Sequence, residues 1–212
     1  MREIRIEAGS YCFTIVTMAN KTSEYVIITW NVRGLGSPSK RQKIHAYLHR
    51  RGVHIALLQE THLTKDEVTK LQRRWRGRLY ATETSAYARG ALIWVRTGVP
   101  FEASDIRIDK NGRWVMVRGR LNGQEITLGC IYAPNQGQLQ FFQEMSSVIS
   151  EVRTDKMMIG GDFNCVLDVA LDRSTHSPPT PSPPASQHLS LAAATPRPQL
   201  TTQHNKTVCR DS

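Results

Sequence analysis

Two Asn-Gly dipeptides, Asn111-Gly112 and Asn122-Gly123, are the features that most restrict what this 212-residue chain can fold into. Each lies between runs of β-branched and apolar residues, and Asn-Gly favours the tight turns that join antiparallel strands. We therefore expect a meander of three antiparallel strands. The predicted strands cover residues 105–109, 113–120 and 125–132.

Helical and β patterns alternate on both sides of this meander. Ser39 with Gln42 and Thr64 with Glu67 each predict a capping box at the start of a helix. A third helix is predicted at 138–152, where apolar residues recur at helical spacing. Further strands are predicted at 22–30, 53–58, 91–95 and 156–160. The alternation, with hairpins between, is typical of an α/β or α+β sandwich with a largely antiparallel sheet.

The composition divides the chain into three parts. Residues 1–23 show no clean periodicity, so we expect a leader outside the fold. Residues 174–212 hold seven of the ten prolines and no Phe, Trp, Tyr or Ile. A segment so poor in apolar side chains cannot offset the entropy lost on ordering, so we expect a disordered Pro/Ser/Thr-rich tail. The predicted folded domain is therefore 24–173.

The net charge of +10 and the isoelectric point near 9.8 suggest an anionic partner, of which nucleic acid is the commonest. Charge alone favours this no more than a surface of solvated Lys and Arg. No apolar run is long enough to span a bilayer, and the N-terminus lacks a secretory signal. The four cysteines show neither a zinc-ligand nor a disulfide pattern. We expect an intracellular protein, in the nucleus or cytoplasm, with no membrane partner.

Polar side chains follow four of the predicted strands at the point where each strand ends. Strand ends are where a rigid scaffold presents side chains to solvent, so they are frequent places for functional residues. Each residue also has an ordinary explanation alone, such as a turn or a helix-cap neighbour. Four such placements in one chain favour a site. The residues are Asn31, Glu60, Tyr132 with Asn135, and Asp162 with Asn164.

The chemistry of this set suits phosphodiester hydrolysis. Glu60, with Asn31 nearby, offers hard oxygen ligands for Mg²⁺, which would neutralise charge on a transferring phosphate. Asp162 can orient or deprotonate an attacking water. Asn164 and Tyr132 can donate hydrogen bonds to a phosphate oxygen without adding negative charge.

Four motifs, in order TWNVRGL, LLQETHL, IYAPN and GGDFN, resemble the endonuclease/exonuclease/phosphatase superfamily. The stretches NVRGLGSPSKRQKI, LQETHL and LDRS are similar in particular to the endonuclease domain of LINE-type non-LTR retrotransposons. The resemblance covers about residues 25–174. It implies a four-layer α/β sandwich of the DNase I-like type, with lipid and inositol-phosphate hydrolases among the family's other members.

The resemblance also implies an activity, which is Mg²⁺-dependent nicking of target DNA, with Mn²⁺ as a substitute metal. It places Glu60 and Asn31 in the metal site and Tyr132 at a phosphate-contacting tyrosine. Asp162 and Asn164 match the catalytic aspartate and the phosphate- or water-orienting asparagine. All five are therefore our candidate catalytic residues.

Further contacts to DNA are predicted at Arg33 and Asn135. The basic stretch 40–51 and the arginines at 73, 74, 76 and 78 are also able to touch a DNA backbone, although a solvated helix face is the more common role for such residues.

The family pattern continues beyond GGDFN with an SRID-like motif and a Ser-Asp-His motif, and the printed sequence contains neither. We therefore expect a domain that is incomplete at its C-terminus, with absent or weak nuclease activity and no lipid substrate. The alternatives are a non-catalytic basic fragment that binds nucleic acid, or a phosphatase or lipid phosphodiesterase of the same superfamily.

Overall fold

The structure is a computed structural model, and it describes residues 2–8, 11–20, 23–84 and 88–164, with side chains from residue 24 onwards. These residues form ten strands and three helices. In chain order they are β1 Arg2–Ala8, β2 Tyr11–Asn20, β3 Ser23–Asn31, α1 Pro38–Arg50, β4 Ile55–Gln59, α2 Lys65–Arg74, β5 Gly77–Ala81, β6 Ala91–Arg96, β7 Phe101–Ile108, β8 Trp114–Leu121, β9 Gln124–Tyr132, α3 Gln138–Val152 and β10 Met157–Asp162.

The strands form two sheets. One sheet has six strands in the order β1-β2-β3-β4-β6-β5, and the other has four in the order β10-β9-β8-β7. Within the described strands, β3 pairs with β4 and β9 with β10 in parallel, and the remaining pairs are antiparallel. The predicted largely antiparallel character of the sheets is confirmed.

The side chains of β3 show how the layers are assembled. Alternate residues of a strand point to opposite faces, so Ile27 enters the core between the two sheets while Ile28 packs beneath the helices α1 and α2. Helix α3 covers the outer face of the four-stranded sheet through Phe142 and Met145. The order of layers is helix, sheet, sheet, helix, which confirms the predicted four-layer α/β sandwich.

Both predicted hairpins are present, with different turns. Asn122 and Gly123 have φ of 50° and 76°, so they form the two-residue turn that joins β8 to β9. The turn between β7 and β8 is longer and covers 109–113. There the Asp109 carboxylate accepts hydrogen bonds from the backbone of Asn111 at 3.0 Å and Arg113 at 2.8 Å.

Of the two predicted capping boxes, one is present and the other is not. Thr64 and Glu67 form the expected capping box, with the Thr64 backbone donating to Glu67 Oε2 at 3.0 Å. The prediction for Ser39 is wrong, because helix α1 begins at Pro38 and Ser37 is its N-cap, accepting from Lys40 N at 3.5 Å. Proline suits the first helical position because its φ is already helical and it has no N–H to satisfy.

Some strands differ from, or extend beyond, what the sequence pattern predicted, and β7 begins at Phe101 rather than at 105. Strand β5 was not anticipated. Within the predicted leader, β1 pairs with β2 and β2 pairs with β3, which places both strands at the edge of the six-stranded sheet. The tail at 174–212 lies outside the described residues, and the domain limits at 24 and 173 stay predictions. No helix in the described part of the chain is both long and apolar enough to cross a membrane.

Candidate active site

The predicted site residues converge at one end of the core between the sheets. Asn31 and Tyr132 end β3 and β9, Asp162 ends β10, and Glu60 directly follows β4. Strands β3 and β4 run parallel, as do β9 and β10, so each pair brings its carboxyl ends to the same edge. Tyr132 and Asp162 are register partners and point to the same face of their sheet.

Asn31 connects the two carboxylates of the site. Its Nδ2 donates to Glu60 Oε1 at 2.8 Å and to Asp162 Oδ2 at 3.1 Å. Its Oδ1 accepts from the backbone of Arg33 at 3.1 Å, which fixes the orientation of the amide. Asp162 is only 8% exposed. The structure therefore brings together two carboxylates from different sheets around one side-chain amide.

The glycines that precede Asp162 allow this approach. A Cβ at Gly160 would lie 2.8 Å from Leu57 Cδ1 and 3.0 Å from Thr29 Cβ, in the facing sheet. A Cβ at Gly161 would lie 2.0 Å from the Ile131 carbonyl oxygen, in the neighbouring strand β9. A larger residue at either position would push β10 away, so the glycines set how closely Asp162 approaches Asn31.

The Tyr132 hydroxyl faces the same carboxylates. Burial is the main cause that raises its pKa to about 12, and the charge of Glu60 and a hydrogen bond with it act in the same direction. The charge of Asp162 raises the pKa further, whereas Arg113 lowers it. Tyr132 is therefore protonated at physiological pH and able to act as a hydrogen-bond donor.

Asn164 is held by backbone contacts at the edge of this group. Its Nδ2 donates to the carbonyl of Ala133 at 2.7 Å, and its backbone N–H donates to Asp162 Oδ1 at 3.2 Å. Gln138 of α3 donates to the Asn164 carbonyl. These contacts orient Asp162 and tie the loop after β10 to the start of α3, and the predicted phosphate contact of Asn164 stays a prediction.

Backbone strain is concentrated around the site. Arg33, Glu60, His62 and Asn164 have φ of 47°, 51°, 52° and 48°, in the left-handed region that residues with a Cβ seldom adopt. Such residues persist where surrounding contacts enforce them, and they are frequent at functional sites.

The two predicted DNA contacts lie on the rim. Arg33 is exposed, and its carbonyl accepts from Lys40 Nζ at 2.8 Å. Asn135 is exposed in the loop between β9 and α3. Both positions are open to a substrate, and their role stays a prediction.

Three further residues that are not among the predicted catalytic residues lie at the site. His62 Nε2 lies 3.9 Å from Glu60 Oε2. Arg113 places its guanidinium 5.4 Å from the centre of the Tyr132 ring. Lys40 is close enough to Glu60 for that charge to act on its pKa, which burial and Arg33 lower. His62 was within reach of sequence reasoning, since it follows Glu60 in the same motif, whereas Arg113 comes from a distant turn.

The donors present suit a hard divalent cation. Within residues 24–84 and 88–164, no three His, Cys, Asp or Glu side chains form a ready-made metal cage. Mg²⁺ needs fewer, because it binds one or two carboxylates and keeps several waters. Glu60 and Asp162 offer two carboxylates around one amide, and their mutual repulsion is what a cation would relieve. Asn31 turns its N–H groups towards them, so in this arrangement it positions the carboxylates.

A match to a known protein family identifies the group of proteins to which this chain belongs. The model of the Endonuclease/Exonuclease/phosphatase family matches residues 28–207. The chain belongs to this family. The match begins inside β3 and includes all four motifs that contain the candidate site residues. It also continues into the segment that the composition predicts to be a tail.

A curated relative comes from a mobile element. The chain is 28% identical over 151 residues to the "Transposon TX1 uncharacterized 149 kDa protein" of Xenopus laevis. The matched region is 70% of this chain and 12% of the transposon protein, so the chain spans a small part of that relative's length.

Solved structures share the fold. The catalytic domain of Xenopus laevis APE2 has a TM-score of 0.59 at 18% identity, covering 77% of this chain and 66% of that one. The endonuclease domain of TRAS1, a telomere-specific non-LTR retrotransposon, has a TM-score of 0.55 at 16% identity, covering 80% and 69%. An AP endonuclease from Archaeoglobus fulgidus has a TM-score of 0.55 at 17% identity, covering 70% of this chain and 60% of that one. At these identities the likeness establishes the fold alone, which is the predicted DNase I-like fold.

Proposed function

We propose that this family member binds a divalent metal, Mg²⁺ or Mn²⁺, at Glu60 and Asp162 and hydrolyses phosphodiester bonds of DNA as a nicking endonuclease. The observation that carries the proposal is the Asn31 amide, 2.8 Å from Glu60 and 3.1 Å from Asp162, which holds the two carboxylates together. The retrotransposon endonuclease fold and the transposon relative favour DNA as the substrate. So does the net charge of +10.

The residues of the chain divide the work by their chemistry. A bound metal would neutralise charge on the phosphate and on the leaving oxygen. Asp162, whose carboxylate accepts hydrogen bonds from the Asn31 amide and from the Asn164 backbone, orients a water for attack or accepts its proton. Tyr132 keeps its proton and donates to a phosphate oxygen. Glu60 and Asp162 would hold the metal, and Asn31 keeps these two carboxylates in place.

Hydrolysis is expected to be slow in this chain. The resemblance implies a histidine in a Ser-Asp-His motif that takes part in the reaction, and His176, His188 and His204 are not preceded by Ser-Asp. Removing one member of a catalytic set leaves the contribution of the others, since positioning and electrostatic stabilisation act separately. We therefore propose that metal and DNA binding are retained while nicking is weak.

Nicking of supercoiled plasmid tests the proposal. Conversion to the open circle is expected with Mg²⁺ or Mn²⁺ and not with EDTA, and it should be lost in Glu60→Ala and Asp162→Ala. Glu102→Ala is the matched control, because Glu102 is an exposed carboxylate on β7. Metal-dependent nicking that is the same in all variants would show that the activity has another source.

Mn²⁺ binding, measured by electron paramagnetic resonance, provides a second readout that does not depend on turnover. Binding should weaken in Glu60→Ala and Asp162→Ala and persist in Glu102→Ala. If the protein binds DNA without nicking it, the alternative of a non-catalytic nucleic-acid-binding fragment holds, which the missing motif favours. Release of phosphate from an inositol phosphate, or cleavage of a phospholipid, would instead support a phosphatase or lipid phosphodiesterase.

A further inference from the structure

A group of arginines lies at the end of the sandwich opposite the candidate active site. We define the basic end cluster as Arg50, Arg51, Arg76 and Arg96 together with His49. Arg50 ends α1 and Arg51 is its C-cap, while Arg76 precedes β5 and Arg96 ends β6. The cluster therefore draws on three separate parts of the chain.

The sheet register explains why these parts meet. Gly77, next to Arg76, is the register partner of Arg96, and the Arg96 backbone donates to the His54 carbonyl at 2.9 Å, just before β4 begins. His54 follows Arg51 by three residues. The start of β4, the start of β5 and the end of β6 thus lie at the same pole as the end of α1.

This pole is far from Glu60. Helix α1 begins beside the loop that follows Asn31 and runs antiparallel to β3 and β4, as a helix that connects two parallel strands must. It has 13 residues, and a helix of that length spans about 20 Å. A ligand at the basic end cluster would therefore lie about one helix length from the candidate active site.

The cations of the cluster have few compensating charges. The guanidinium groups of Arg50 and Arg51 lie 5.9 Å and 5.5 Å from the centre of the Tyr47 ring. Burial lowers the pKa of His49, and the charges of Arg96 and Arg76 lower it further. Within residues 24–84 and 88–164, none of the four arginines forms an ion pair with a carboxylate. The fold therefore gathers these cations at one pole without carboxylate partners, and an anionic partner would offset their positive charge.

We infer that the basic end cluster is a second nucleic-acid site, which binds a phosphodiester backbone separately from the candidate active site. All four of its permanent cations are arginines, whose planar guanidinium groups hydrogen-bond phosphate with two donors at once. Three chain segments supply the cluster, whereas an ordinary solvated row of charges on a helix face comes from one segment. It goes beyond the proposed function, because it gives the protein a hold on nucleic acid away from the bond that is cut.

Binding of labelled nucleic acid in EDTA tests the inference without cleavage. The probes are a fluorescein-labelled DNA duplex and a single-stranded RNA of the same length, with phosphatidylserine vesicles as a third anionic surface. The test variant is Arg50→Gln/Arg51→Gln/Arg76→Gln. The matched control is Lys70→Gln/Lys110→Gln/Arg120→Gln, which removes the same charge from exposed positions elsewhere.

For duplex DNA, the test variant should bind about tenfold or more weakly, and its dependence of log affinity on log salt should become shallower by about 2 to 3. The control should change neither value by a comparable amount. The same difference is expected in a Glu60→Ala/Asp162→Ala background, so failure here is distinct from failure of the proposed function.

Three results would overturn the inference. These are equal losses in the test and control variants, no loss in either, or a loss confined to the vesicles, which would point to an anionic membrane. Folding is checked by thermal unfolding at low salt, where removing mutually repelling cations should not lower the melting temperature. Should the triple variant unfold, Arg76→Gln alone must still reduce the salt slope by about 1.

Discussion

Asn31 ends β3 and Glu60 directly follows the neighbouring strand β4, and the amide of Asn31 donates to the carboxylate of Glu60 at 2.8 Å. Parallel pairing of β3 with β4 sets this contact, because Asn31 is the register partner of Gln59, the residue before Glu60. Asp162 joins the same amide from the other sheet. Three residues that are widely separated in sequence therefore act as one unit, and substitutions at any of them should affect the others.

Replacing Asn31 with Ala should weaken metal binding without unfolding the protein. The substitution removes the hydrogen bonds that hold Glu60 and Asp162 in place, and loss of such a positioning group costs about 10- to 100-fold in metal affinity. Titration with Mn²⁺ followed by electron paramagnetic resonance measures the effect. Asn111→Ala, in the exposed turn between β7 and β8, should leave the affinity unchanged, and an equal affinity in Asn31→Ala would contradict the positioning role.

Stability at alkaline pH should depend on Tyr132. Its pKa in the folded protein is raised to about 12 from the ordinary value of 10.0. The folded state therefore retains a proton that the unfolded state releases, so this contribution is complete below pH 10 and is lost as the pH rises towards 12. Urea unfolding measured across this range should show a smaller decline in Tyr132→Phe than in the wild type.

Cys130 titrates in the same window and is the reason for a difference measurement. Burial raises the pKa of its thiol to about 12. The Tyr132→Phe variant should therefore also lose some stability as the pH rises towards that value. The contribution of Tyr132 is the part of the decline that disappears in the Phe variant. Identical pH profiles for the two proteins would mean that folding does not raise the pKa of the Tyr132 hydroxyl.

Replacing Gly161 with Ala should destabilise the protein and weaken the site together. The added Cβ would lie 2.0 Å from the Ile131 carbonyl oxygen, so β10 must shift away from β9 and carry Asp162 with it. Overpacking of this kind costs at least about 1–3 kcal/mol of unfolding free energy. Gly36→Ala is the control, since a Cβ there meets nothing within 4 Å. The stability measured by urea unfolding and the Mn²⁺ affinity should both change in Gly161→Ala. Neither should change in Gly36→Ala.

Much of the fold could be predicted because local chemistry and global structure agree. The Asn122-Gly123 turn requires two residues with positive φ, and few dipeptides other than Asn-Gly satisfy it at low cost. The Thr64–Glu67 capping box is equally local. Strand β5 could not be found in this way, because its half-buried residues lack a clear alternation and its pairing partner β6 lies ten residues further on.

The site was partly predictable for the same reason. Asn31, Glu60, Tyr132 and Asp162 each end or follow an apolar strand, and that pattern is visible in the sequence. The partners of each residue were not visible, because Asn31 meets Asp162 across 131 positions of the chain. Nothing local to Arg113 indicates that its side chain lies over Tyr132, and nothing local to Gly160 indicates that Leu57 faces it.

The contact of Asp162 with Asn31 also makes the geometry of the site depend on how closely the two sheets pack. Glu60 is attached to the six-stranded sheet and Asp162 to the four-stranded sheet, so the spacing of their carboxylates is set by the apolar layer between the sheets. A displacement of about 1 Å is enough to change a rate by about 100-fold. Side chains deep in that layer, such as Ile27 and Leu128, therefore govern the spacing of the two carboxylates of the proposed site although they lie outside it.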